Sequence, residues 1–252
     1  MRLKNKVAII TGGAEGIGKA FAEGFAQEGA KLIIADINLA AAESLQESLK
    51  KNGAESLAIK TDVAQLSDVE AMVKRTIGHF GRIDILVNNA AMYQRNAAMP
   101  SPVWKIDPAH WEKVIAVNVT GVFLCTRTVI PYMIQQKSGK IISIASSLAF
   151  KGFPNLSHYV TSKAAVVGFT RAVARDAGDY NINVNAIAPG STLSEEPVPE
   201  AIAKRQGEVA SRALKRIQNP ADLVGTAIFL ASAESDFITG QTIVVDGGSA
   251  MH

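Results

Sequence analysis

The sequence predicts a doubly wound α/β domain, with seven parallel strands in one sheet and helices covering both faces. Three observations carry that expectation. Short β-branched runs alternate with longer segments of helical periodicity along all 252 residues. Most of the short runs are continuously apolar, the pattern of strands buried on both faces. Each connection is long enough for a helix, and right-handed crossovers then produce a parallel sheet.

The first strand, Val7–Thr11, runs into a glycine-rich turn and a helical pattern over 17–28. Further strands are expected at 31–35, 57–61, 83–88, 140–145, 182–188 and Thr242–Val245. Helical patterns fill the gaps at 40–51, 67–80, Pro108–Gln136, 157–179 and 220–231. No linker, low-complexity tract or fixed-period repeat interrupts the alternation, so residues 1–252 are expected to form one domain. The stretch 191–216 breaks the rhythm: it is rich in charge, carries Pro197 and Pro199, and follows a strand end. Insertions outside the carboxyl ends of strands are where such sheets bind ligands, so this stretch reads as a substrate lid.

Composition excludes several classes of function. With 48% hydrophobic and 19% charged residues, the chain can bury a sizeable core and is not a disordered one. Its 26 basic and 23 acidic residues leave a net charge of +3 without a basic cluster, so neither nucleic acid nor a membrane surface is an expected partner. Cys125 is the only cysteine, which precludes an intrachain disulfide, and it follows an apolar run where a thiol packs. The apolar stretch before Thr11 is too short for a secretory segment, and 223–231 is too short to span a bilayer. A soluble cytoplasmic protein is expected. His79, His110, His158 and His252 lack partners at ligand spacing, so no metal is expected, and His158 reads as a helix-surface residue.

Gly12, Gly16 and Gly18 follow the first strand and open a helix. Glycines there permit a tight turn and let backbone N–H groups approach a pyrophosphate at the positive helix end. Asp36 ends the second strand, twenty residues after Gly16, where a carboxylate can hold ribose hydroxyls. It would repel a 2′-phosphate, and Glu15 in the glycine loop offers no neutralising charge, so the expected cofactor is NAD.

Tyr159 and Lys163 are four residues apart, which puts them on one helix face. Together with the glycine loop they resemble the short-chain dehydrogenase/reductase family, whose members share the Rossmann arrangement, and the resemblance spans essentially the whole chain. Ser146 precedes Tyr159 by thirteen residues, as that family's catalytic serine does, with Ser147 as its rival. Asn118 in Val117-Asn-Val-Thr-Gly121 matches the family's helix asparagine. Asp62-Val63, Asn88-Asn89-Ala90 and Pro189-Gly190 also match, although Ala91 stands where the family has glycine.

The resemblance implies an oxidoreductase that transfers hydride between a nicotinamide and a secondary alcohol or ketone. Tyr159 would act as the base, lowered in pKa by the Lys163 ammonium and the cofactor's charge, and Ser146 would polarise the substrate oxygen. Lys163 would also reach the ribose, and Asn118 would hold a water for proton exit. Cofactor contacts are implied at Gly12, Glu15, Gly16, Ile17, Gly18 and Asp36, and beyond them at Asp62, Val63, Asn89, Tyr159, Lys163, Thr192 and Ser194. The family also implies a homotetramer, pairing the long helices over 108–136 and 157–179. Substrate-pocket candidates are Tyr93, Gln94, Arg95, Leu148, Phe153 and Asn155, and either Arg95 or Lys151 could meet a carboxylate. A 3-oxoacyl-thioester reductase is the alternative, a branch that usually draws on NADPH. A non-catalytic NAD-binding regulator is the third reading, disfavoured because a sensor needs no base.

Overall fold

The computed structural model describes residues 1–93, 100–194 and 198–251. Its strands are β1 (Val7–Thr11), β2 (Lys31–Asp36), β3 (Ser56–Lys60), β4 (Ile85–Asn88), β5 (Gly139–Ile144), β6 (Ile182–Pro189) and β7 (Thr242–Val245). All seven pair in parallel in the order β3-β2-β1-β4-β5-β6-β7, the doubly wound sheet that was expected. The chain winds outward from β1 to β3, then crosses back to β4 and winds the other way. The strand order therefore reverses between β1 and β4, which opens a crevice above their carboxyl ends.

Alternate residues of each strand feed opposite faces, which is why the runs are apolar throughout. Ile10, Ile34 and Val87 pack on one side with Phe21, Phe25 and Leu223. Those partners come from α1 (Gly16–Gln27) and α9 (Ala221–Ala231), with α2 (Leu39–Lys51) beside them. Ile9, Ile33 and Leu86 pack on the other with Met72, Val129 and Val173. These belong to α3 (Leu66–Phe80), α5 (Gly121–Gln136) and α7 (Ser157–Ala177). Cys125 packs in this second layer as expected, and burial pushes its thiol up to about 12.

Three features differ from the sequence reading. The strand expected from residue 83 begins at Ile85, because the Gln136 side chain takes both the N–H and the carbonyl of Ile83 out of the ladder. The single helix expected over Pro108–Gln136 is continuous but not uniform: α4 (Pro108–Ile115) passes through a π segment, Ala116–Thr120, into α5. By length and apolar composition those 29 residues could cross a membrane, yet Val122, Cys125, Val129 and Met133 form a stripe buried in the protein. It is a core helix. Finally, the stretch 191–216 holds a helix of its own, α8 (Pro199–Val209), with Pro199 in the first turn, where its missing N–H costs nothing. Pro197 lies outside the described residues.

Candidate active site

Beyond β1 the chain turns through Gly12 (φ +59°) into Gly16 (φ +53°), both in the left-handed region. Asn89, just past β4, braces this loop. Its amide donates to the carbonyls of Thr11 (3.0 Å) and Gly12 (2.8 Å). Glu15 precedes α1 without a side-chain cap, so the first amides of the helix keep their hydrogen-bonding capacity. Asp36 is held in one orientation: Oδ2 accepts from Ala14 N–H and Oδ1 from Asn38 N–H, each at 3.0 Å.

One cavity of about 850 Å³ joins these groups to the far side of the crevice. Gly12, Glu15, Gly16, Ile17 and Asp36 line it, as do Asp62, Val63 and Asn89. Thr192 and Ser194 close it from beyond β6. The open amides, the fixed carboxylate and the volume fit a dinucleotide. Gly18, expected to touch the cofactor, is instead buried behind the loop. A Cβ there would run into the Gly12 carbonyl, so its part is to let α1 pack against the turn.

The catalytic candidates meet at the other end. Ser146 follows β5 and lines the cavity with Tyr159, its hydroxyl accepting Leu148 N–H at 3.2 Å. Ser147, the rival, also lines the cavity, its backbone N–H donating to the Pro189 carbonyl. Lys163 stands one turn beyond Tyr159 on α7, 3% exposed, and donates to the Ile144 carbonyl at 2.7 Å. Its Nζ lies 5.8 Å from the Tyr159 ring centre. Burial and the Tyr93 phenol push Tyr159 well above the ordinary tyrosine range, against a smaller lowering by Ser146. Burial also pulls Lys163 down to about 8. In the cofactor-free protein desolvation therefore governs Tyr159, while the expected lowering belongs to the state with cofactor bound.

Asn118 does not line the cavity. From the π segment its Oδ1 accepts Met92 N–H at 2.7 Å, while Nδ2 donates to Met92 O (3.2 Å) and Ser162 Oγ (3.0 Å). Ser162 in turn donates to the Tyr159 carbonyl at 2.7 Å. Those bonds tie the loop after β4 to α7, so Asn118 braces the site rather than opening onto it.

His158 is not a surface residue either. It is fully buried beside His110 of α4, ring centres 5.4 Å apart, and burial followed by His110 holds its pKa down. Forty-eight residues of sequence separate the two, so spacing gave no sign of the pair.

Of the pocket candidates, Tyr93 packs on Tyr159 with ring centres 4.9 Å apart, and Leu148 and Phe153 line the cavity. Asn155 does not, being turned to a backbone bond with Ser101. Gln94 and Arg95 lie outside the described residues. Lys113, Arg205, Arg212, Ser211 and Ser249 also line the cavity, and no local motif marks them.

Comparison with known proteins agrees with this geometry. The family described as Enoyl-(Acyl carrier protein) reductase matches residues 12–250. A 3-oxoacyl-[acyl-carrier-protein] reductase FabG of Thermotoga maritima is 40% identical over 255 residues, covering 98% of this chain and 99% of that one. Galactitol 2-dehydrogenase of Agrobacterium fabrum is 41% identical over 263 residues, covering both chains in full. The crystal structure of 3-ketoacyl-(acyl-carrier-protein) reductase from Brucella melitensis complexed with NADH superimposes with a TM-score of 0.89 at 34% identity. It covers 99% of this chain and 100% of that one.

Proposed function

The chain belongs to the short-chain dehydrogenase/reductase family, an oxidoreductase with a nicotinamide cofactor, and from that premise we propose an NAD-dependent secondary alcohol dehydrogenase. The observation that carries this reading is one cavity with Asp36 at one end and Ser146, Tyr159 and Lys163 at the other. Bound there, the nicotinamide ring supplies the acceptor or donor of hydride. Tyr159 exchanges a proton with the substrate oxygen and Ser146 donates a hydrogen bond to it. Lys163 holds positive charge beside the phenol and reaches for the ribose, while Asn118 keeps the Tyr159 helix and the Met92 loop in register. The chain works as one domain, with 191–216 as the lid over the substrate. A homotetramer pairing α5 and α7 is the proposed assembly.

A 3-oxoacyl-thioester reductase is the second reading, favoured by the likeness to FabG. Cofactor choice separates the two. Asp36 accepts two backbone N–H bonds at the cavity wall, which leaves its charge turned against a 2′-phosphate. Asp36→Ala should lower kcat/KM with NAD by one to two orders of magnitude, the loss of a bond worth roughly 1.5–3 kcal/mol, and raise it with NADP. Glu15→Arg with Asp36→Ser should invert the preference. A wild-type enzyme that prefers NADP would overturn the NAD assignment and bring the thioester reading forward.

A further inference from the structure

The cavity carries opposite charge at its two ends. Over β1, β2 and β3 its walls hold Glu15, Asp36 and Asp62. The lining at the substrate end holds Lys113, Lys151 and Arg212, against Glu208 among the described residues. A concave wall of one sign concentrates ligands of the other, so the substrate half is set for an anion.

Within that half, two donors from distant stretches converge beside a second hydroxyl. Lys151 ends α6 (Leu148–Lys151), and its Nζ donates to Ser249 Oγ at 2.6 Å. Ser211 Oγ, which donates to the Glu208 carbonyl at 2.8 Å, lies 3.4 Å from the same hydroxyl. The segment carrying Ser249 is fixed by Asp246, whose carboxylate accepts the N–H groups of Gly248, Ser249 and Ala250 at 2.8–3.0 Å. An ammonium beside a serine hydroxyl on a fixed backbone is a donor set for a carboxylate or phosphate oxygen. Arg212 adds charge but spends its own bonds on the Ser191 and Arg216 carbonyls. Leu148, Phe153 and Leu156 add apolar side chains to the lining of the same cavity.

We infer that the substrate is a hydroxy acid or its oxo partner, its carboxylate held by Lys151 and Ser249 and its reacting carbon at Ser146 and Tyr159. The apolar side chains that line the same cavity suit a short apolar chain between the two polar ends. The phosphate of a pantetheine-linked thioester sits at the end of a far longer arm. The inference rests on the oxidoreductase reading of the site and names the substrate class within it.

The test is kcat/KM for 3-, 4- and 5-hydroxyhexanoate, each against its methyl ester, with 2-hexanol as the neutral reference and NAD as cofactor. At least one acid should exceed its ester tenfold or more in the wild type. Lys151→Met should bring that ratio close to one, and Ser249→Ala should shift it the same way by less. General damage to the enzyme cancels in the ratio. Acids and esters turned over alike, or a ratio that survives Lys151→Met, overturns the carboxylate site while leaving the dehydrogenase standing. A 3-oxoacyl phosphopantetheine thioester preferred over its unphosphorylated form, with acids no better than esters, overturns it in favour of a phosphate. No turnover of any alcohol, ester or matching ketone with either cofactor defeats the parent reading as well.

Discussion

Tyr159 shows how one side chain is poised by its surroundings. Burial and the adjoining Tyr93 favour its neutral phenol, and burial moves Lys163 toward its neutral amine. The phenol is the form that gives a proton to a carbonyl; oxidation of an alcohol needs the phenolate. A raised pKa means that the proton is retained as pH rises through the ordinary tyrosine range near 10. In the cofactor-free protein, the wild-type minus Tyr159→Phe difference absorbance should therefore show no phenolate below pH 10. Added NAD, carrying positive charge on its ring, should bring that signal to lower pH. A phenolate signal at pH 8 in the bare protein would contradict the burial argument. In turnover, Tyr159→Phe should retain less than a tenth of wild-type kcat with nearly unchanged cofactor affinity, a barrier increase above about 1.4 kcal/mol.

At the scale of elements, the long helix over Pro108–Gln136 serves both the core and the site. Its π segment holds Asn118 between Met92 and Ser162, and one extra residue in a turn is a common device for aiming such a side chain. The segment ends against Gly121, where α5 meets the turn after β3. A Cβ on Gly121 would lie 2.7 Å from Val63 Cγ2 and 3.3 Å from the Val63 carbonyl. Gly121→Ala must displace that turn, and overpacking of this kind costs about 1–3 kcal/mol. A lower Tm and weaker cofactor binding are expected, with kcat retained at saturating cofactor, because Asp62 and Val63 line the cofactor end. Gly78→Ala on α3 is the contrast: a Cβ there meets nothing within 4 Å, so it should be neutral or stabilise by up to about 1 kcal/mol. Equal losses from the two substitutions would show that the Val63 contact is not the cause.

On the scale of the whole molecule, the outer faces of α5 and α7 present apolar surface. Phe123 is 45% exposed and packs edge-on against Phe169, ring centres 6.5 Å apart. A protein with paired copies would cover such a face. Phe123→Asp should lower the mass measured by light scattering at micromolar concentration while leaving the far-ultraviolet circular dichroism unchanged. A wild-type monomer under those conditions would remove the tetramer from the account.

What the sequence by itself determined was whatever depends on neighbours along the chain. Continuous apolar runs specified a parallel sheet buried on both faces, since each strand must feed two cores. The Gly12–Gly18 turn, Asp36 at a strand end and the one-turn spacing of Tyr159 and Lys163 were legible because their meaning lies in a few consecutive residues. The tertiary structure alone decided what depends on distant residues meeting. It paired His110 with His158, set Asn118 as a brace instead of a cavity residue, and moved Gly18 behind the loop. It also brought Lys151, Ser211 and Ser249 together and buried Tyr159 so that the cofactor-free protein favours its neutral phenol. Periodicity reports which face of an element is buried, but not which element buries it, and desolvation is set by that second fact.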